Sequence, residues 1–303
     1  MANHSRNEEH MTAKSPTILD CTLRDGGYYT TWDFSDKLVD TYLRSAAKLP
    51  ISIVELGYAN LPRDGYFGQY YFLTRSTTER AKSLLRRDQK LAIMLDEKVA
   101  PPTSAYQLVG EMAESVDIVR MAVAPDRLAN AVELSGRIRE MGFKVGINVM
   151  YLSRYWDKLE SLDALADAAA ISSCISLVDS YGACAPNQTA AAVSRLKELC
   201  PDATVGFHGH DNLGLAFANS LSAIDAGASV IDGTVTGMGR GPGNTRTETL
   251  LVHSMAERPD ELNYVALHDV VQPFEALKHE YGWGTNLVYM ISGAADLPQN
   301  RVM

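Results

Sequence analysis

The sequence predicts a (β/α)8 TIM barrel with a short helical C-terminal extension, and three observations carry that prediction. Eight short runs rich in apolar and β-branched residues alternate with stretches of helical spacing. Strands of that composition are buried on both faces, which calls for a parallel sheet covered by helices. The polar residues that stand out for their chemistry fall just after strands, on the side where such a barrel carries its site. A doubly wound open sheet is the structural alternative, but it leaves the number of units unexplained.

Taken in order, Thr17 to Cys21 reads as the first strand, and Leu38, Val39, Tyr42, Leu43 and Ala46 give the helix from Asp36 to Ala47 its apolar face. Ser52 to Leu56 follows, then a long aromatic loop from Ala59 to Thr74 and a helix over Thr77 to Leu85. That loop suits either a pocket wall or a dimer contact. The third unit is Leu91 to Leu95 with Ala105 to Ser115. The fourth is Ile118 to Ala122 with Pro125 to Met141, where proline suits a first helical turn and Gly142 a stop. Lys144 to Val149 with Asp157 to Ala170, and Cys174 to Val178 with the helix after Pro186, supply units five and six. Thr204 to Phe207 with Leu213 to Ala226, then Ser229 to Asp232 with Thr245 to Arg258, complete eight. Leu262 to Tyr281 is again helical, and it should cap an end of the barrel or mediate contacts. The expected division is a flexible polar tail over 1–15, the barrel over 16–260 and the extension over 261–303.

Composition narrows the partners. The 303 residues include 28 Lys and Arg against 37 Asp and Glu, a net charge of -9, and the pI is near 5.3. No basic run interleaved with aromatics is present to track a phosphate backbone, so nucleic acid is not an expected partner. No stretch is apolar enough for a bilayer, and membrane association is not expected. Four cysteines without Cys-x-x-Cys spacing suit a reducing cytoplasm. A homo-oligomer is expected by association with other acidic barrels.

The chemistry concentrates at His208-Gly209-His210, which ends the seventh strand. Residues at i and i+2 of a strand project to one side, so the two imidazoles offer a pair of nitrogen ligands to one metal ion. Asp25, after the first strand, is the best candidate for a third ligand, and such a set leaves coordination positions open for chemistry. First and last strands are neighbours in a closed barrel, so Asp25, His208 and Asn244 can converge. Arg24, Glu55, Asn148 and Ser180 also fall at strand ends. The bland readings are an N-cap for Asp25, an ordinary ion pair for Arg24 and a structural salt bridge for Glu55. Gly237 to Asn244 lacks the Lys-Ser/Thr of a P-loop, and its glycines suit close approach of backbone to a ligand. Cys184 and the tail histidines His4 and His10 read as incidental.

Thr22 to Gly27 (TLRDGG), Glu55-Leu56-Gly57, Asp179 to Gly182, His208 to Asn219 (HGHDNLGLAFAN) and Gly237 to Asn244 (GMGRGPGN) together resemble the metal-dependent TIM-barrel lyases and synthases with an Asp-Arg-Glu signature. That superfamily includes 3-hydroxy-3-methylglutaryl-CoA lyase, isopropylmalate synthase and 4-hydroxy-2-oxovalerate aldolase. The resemblance spans Ile18 to Glu248, and the His-x-His-x-Asn-Leu order favours the aldolase branch. It implies Mn²⁺ or Mg²⁺ held by Asp25, His208 and His210, with Asn244 at a position that is a further ligand in the lyase branch. It also implies that Arg24 stabilises an enolate oxygen and that Ser180 holds the substrate carboxylate. The partners would be a pyruvate-like 2-oxo acid and an aldehyde. A 2-oxo acid chelates a divalent cation, and a planar guanidinium suits the developing oxyanion, so the chemistry agrees.

The sequence also departs from that pattern. In the aldolases a histidine three residues after the signature aspartate is the catalytic base, and here the position is Tyr28. Tyrosine, with an ordinary pKa of about 10, is a poor base near neutrality. Tyr28, Tyr29, His279, Tyr281, Tyr289 and a metal-bound water all stand as candidates. The loop that carries a cysteine in the lyase branch carries Arg240, an extra cation suited to an acidic or phosphorylated substrate. The short stretch after Tyr281 leaves little room for the module by which the aldolases pair with an aldehyde dehydrogenase, and that partnership is not expected. Rival readings are a Claisen-type acyl-CoA/2-oxo acid acyltransferase, an iron(II) oxygenase and a non-catalytic barrel that has lost its base.

Overall fold

The computed structural model describes residues 16–298 and Arg301. The tail expected over residues 1–15, with His4 and His10, lies outside the described residues. Eight parallel strands close into a barrel in sequence order: β1 (Thr17–Asp20), β2 (Ile53–Tyr58), β3 (Lys90–Asp96), β4 (Ile118–Val123), β5 (Lys144–Val149), β6 (Cys174–Asp179), β7 (Val205–Gly209) and β8 (Val230–Gly233). β8 closes onto β1 with Ile18 opposite Ile231 and Leu19 opposite Asp232. Strands buried on both faces explain the near-continuous apolar runs.

The helices that cover the barrel are α2 (Asp36–Ala46), α3 (Arg75–Leu84), α4 (Ala105–Val109), α5 (Leu128–Glu140), α6 (Leu165–Ile171), α7 (Pro186–Leu199), α8 (Ala216–Asp225) and α9 (Thr247–Ser254). Ser35 caps α2 by accepting from the Leu38 N–H, and Thr74 caps α3 through Thr77. Several expected helices are shorter than their periodicity suggests, α4, α6 and α9 most of all. Gly110, a weak helix former, ends α4 after five residues. Ala164 sits at φ 59 before α6, so the helix cannot run back through Asp157 and short 3₁₀ turns precede it.

A further helix, α1 (Thr22–Thr30), occupies the first βα connection, where no helix is expected from the sequence. Asp20 starts it by accepting from the backbone N–H and the hydroxyl of Thr22. Both glycines are required by packing: a Cβ on Gly26 would meet Met238 Sδ at 2.5 Å, and one on Gly27 would meet the Trp32 ring at 2.1 Å. The aromatic loop folds against Trp32, just beyond this helix, with Tyr71 4.7 Å from that ring and stacked on Phe67 at 4.4 Å. It buttresses α1 and contributes none of its aromatics to the central cavity.

After α9 come α10 (Tyr264–Tyr281) and α11 (Leu287–Ala294). α10 packs Phe274 against Tyr42 of α2. α11 lies over the β7 connection, where the Asn212 amide donates to Tyr289 O at 3.2 Å and to Ser292 Oγ at 3.3 Å. Trp283 donates to Thr236 O at 3.1 Å, so this segment braces the connections after β7 and β8.

Candidate active site

The carboxyl ends of the strands open into a cavity of about 430 Å³, lined at its floor by Arg24, Asp25, Asn148, Ser180, His208 and His210. Its floor is organised by a closed ring of buried charges. Arg24 Nη1 donates to Asp25 Oδ1 at 2.8 Å, and Arg24 Nε to Glu55 Oε2 at 2.7 Å. Glu55 Oε1 accepts from Arg120 Nη1 at 3.1 Å, and Arg120 Nη2 donates to Asp232 Oδ2 at 2.7 Å. Asp232 Oδ2 meets His208 Nδ1 at 3.0 Å, and His208 Nε2 faces Asp25 Oδ2 at 3.6 Å, which closes the ring. Alternation of sign offsets the cost of burying so many charges. Burial opposes ionisation of Asp25 and Asp232, but Arg24 and Arg120 respectively, with His208, hold them below the usual carboxylate range.

Asp25, His208 and His210 bring three ligand atoms within 4.8 Å of one another. Each histidine commits Nδ1 elsewhere, His208 to Asp232 and His210 to the Asp179 carbonyl oxygen at 3.0 Å, so each presents Nε2 to the cavity. Such outer partners fix ring orientation in metal sites. Burial and the neighbouring His208 push His210 down to about 3, so its lone pair is free across the neutral range. Burial lowers His208 too, but Asp232 and Asp25 outweigh it and raise the pKa. Asn244 Nδ2 donates to Asp25 Oδ2, while Asn244 Oδ1 is buried without a partner. Two nitrogens, a carboxylate and an orphaned amide oxygen fit a divalent cation.

Beside that cluster, Arg24 Nη2 is buried with no hydrogen-bond partner, and so is Asn148 Oδ1. Ser180 Oγ accepts from the Tyr151 N–H at 3.0 Å, which leaves its proton free to donate. Glu55, expected among the catalytic residues, is fully buried away from the cavity wall with both oxygens on arginines, and it orients Arg24 instead. Of the tyrosines and histidine considered as bases, only Tyr28 lines the cavity; it is 45% exposed. Tyr29 donates to Gly241 O at 2.8 Å and packs on Trp283.

Sequence reasoning missed Arg120, Asp232, Tyr58 and Tyr151. Arg120 and Asp232 are lone charges inside the apolar strands β4 and β8, a detectable anomaly, because a charge there needs a partner. Tyr58 ends β2 beside Tyr28, and burial pushes its pKa well up.

Residues 73–272 match the HMGL-like family model. The chain belongs to the HMGL-like family. It is 33% identical over 245 residues to a 4-hydroxy-2-oxovalerate aldolase of Chloroflexus aurantiacus, covering 78% of this chain and 68% of the relative. It is 28% identical to an oxaloacetate decarboxylase of Mycobacterium tuberculosis, covering 79% of this chain and 70% of that one. Among solved structures, the N-terminal domain of a candidate aldolase from Bacteroides vulgatus superimposes with a TM-score of 0.90 at 40% identity over 95% of both chains. This HMGL-like chain is therefore an enzyme of a carbon–carbon lyase family, and the barrel is shared as well as the sequence. Among the described residues no helix is long and apolar enough to cross a membrane.

Proposed function

We propose that this chain is a divalent-metal-dependent aldolase that makes or cleaves a C–C bond between a pyruvate-like enolate and an aldehyde. The observation that carries the reading is the unpartnered Arg24 Nη2 beside the convergent Asp25, His208 and His210 at the floor of one cavity. Asp25, His208 and His210 would hold Mn²⁺ or Mg²⁺, with Asn244 next to them. The cation supplies Lewis-acid stabilisation of negative charge on a 2-oxo acid.

The residues of the chain do the rest. Arg24 aims a free N–H at the oxygen that gains charge as the C3–C4 bond breaks, and Glu55 holds its guanidinium in plane. The Ser180 hydroxyl and the Asn148 amide bind the carboxylate end. In cleavage the 4-hydroxyl proton passes to the Tyr28 oxygen as the Tyr28 hydroxyl gives its own proton to solvent at the open cavity mouth, the aldehyde departs, and the enolate takes a proton at C3. Tyr58 beside it retains its own proton and donates to Tyr28 or to the substrate. All four cysteines are free, in keeping with a reducing cytoplasm.

A second reading, decarboxylation of a 3-oxo diacid to the same enolate, gains weight from the absence of an imidazole at position 28, because that reaction needs no base at a 4-hydroxyl. Proton NMR of pyruvate in D₂O tests the shared step: methyl exchange with Mg²⁺, abolished by a chelator, is expected. Arg24→Ala should slow it by ~10²-fold or more. Absence of exchange under all metals sinks the enolate reading. Release of CO₂ from oxaloacetate without aldehyde-dependent turnover selects the second.

A further inference from the structure

The mouth of the cavity holds a cation that the proposed chemistry does not use. From Val235 to Thr245 every residue is buried except Arg240, which lines the cavity. Gly237, Gly241 and Gly243, at φ 70, 66 and 81, take the left-handed turns that fold the loop inward and leave this one side chain outside. Its guanidinium lies 5.7 Å over the Tyr28 ring. It makes no ion pair among the described residues, whereas the other arginines of the cavity are paired, Arg24 with Asp25 and Glu55 and Arg127 with Glu97. Such a cation, held on an aromatic platform, is preorganised for an anion.

Resting on the aldolase reading, we propose that Arg240 binds a terminal carboxylate at the far end of the substrate, so that the acceptor is an aldehyde acid and the cleaved compound a 4-hydroxy-2-oxo diacid. The far wall supports a monoanion over a phosphate dianion. There Asp96 and Asp126 face the cavity together with Lys98, and Glu97 is neutralised by Arg127, so Arg240 meets the tail without a second unpaired guanidinium. A planar fork matches a carboxylate through two parallel N–H donors. Tyr28 beneath it offers a hydroxyl to the same end.

The test compares two ligands that share the 2-oxo acid head and chain length: 2-oxoglutarate, with a terminal carboxylate, and 2-oxopentanoate, with a terminal methyl. Titration calorimetry on the Mg²⁺-loaded protein should show 2-oxoglutarate bound at least about tenfold tighter. Arg240→Gln should abolish the preference and leave 2-oxopentanoate within about twofold, and Arg240→Lys should restore part of it. Equal binding of the two ligands by the wild type, or an undiminished preference in Arg240→Gln, overturns the proposal. Pyruvate methyl exchange on the same preparations separates the two readings. Exchange without a carboxylate preference leaves the aldolase and removes the clamp, whereas an Arg240-dependent preference without exchange keeps the clamp and removes the aldolase.

Discussion

Replacing Arg120 by methionine removes the cation that two buried carboxylates share. Glu55 Oε1 loses a donor at 3.1 Å and Asp232 Oδ2 one at 2.7 Å, both side chains being fully buried. Methionine fills most of the vacated volume, so the cost is electrostatic; stripping one partner from a buried ion network costs about 3–5 kcal/mol. With a urea slope of about 3 kcal/mol/M for a chain this long, the midpoint should fall by roughly 1–1.7 M. The dependence on pH has a fixed sign. In the wild type Asp232 titrates below its unfolded value, so its contribution is present above that value and is lost as pH falls through the folded pKa. In Arg120→Met burial dominates and raises the Asp232 pKa, so stability is recovered as pH falls. The gap between the two proteins should therefore be widest near pH 8 and narrower at pH 5. A gap under about 1 kcal/mol, or one equal at both pH values, would refute the claim that the ring is held by charge.

Three further outcomes are expected. Metal analysis after gel filtration should show Asp25→Asn and His208→Ala depleted of divalent metal, and full retention by both would remove the ligand assignment. Gly27→Ala places a methyl 2.1 Å from the Trp32 ring and should destabilise by about 1–3 kcal/mol in chemical denaturation, with a neutral result showing that α1 can shift freely. In the metal-free protein His210 is held neutral down to about 3 against an ordinary 6.5, so its contribution is complete above pH 6.5 and is lost as pH falls toward 3. Over that window the wild type should lose stability against His210→Gln by up to about 1.4 kcal/mol per pH unit, and parallel curves would contradict it.

The barrel was legible because strands buried on both faces leave an unbroken apolar signal, and because eight repeats of one unit close in a single way. His208, His210 and Asp25 were legible for a local reason: i and i+2 on a strand face one way, and a carboxylate after β1 lies next to β7 and β8 once the barrel closes. Helix α1 was not, because two glycines argue against a helix and only the tertiary contacts with Met238 and Trp32 reveal why they are there. Arg120 and Asp232 were passed over because their partners, Glu55 and His208, lie 65 and 24 residues away. Glu55 was placed at a strand end but lies midway along β2, and its role depends on which way two arginines point, which spacing does not encode.

The ring has a meaning for how the chain finds its fold. Its members come from the first, second, fourth, seventh and eighth strands or the turns after them, so a nascent half-barrel holds Arg24, Asp25, Glu55 and Arg120 but neither Asp232 nor His208. One arm of Arg120 is unanswered until the last strand arrives. Pairing of Thr17 with Val230 spans most of the described chain and is intrinsically slow to form. A strand β8 that docked one residue out of register would turn Asp232 to the outer face and trap that guanidinium unpaired inside. The same charges that shape the site thus set an energetic penalty on any closure of the barrel in which β8 is out of register.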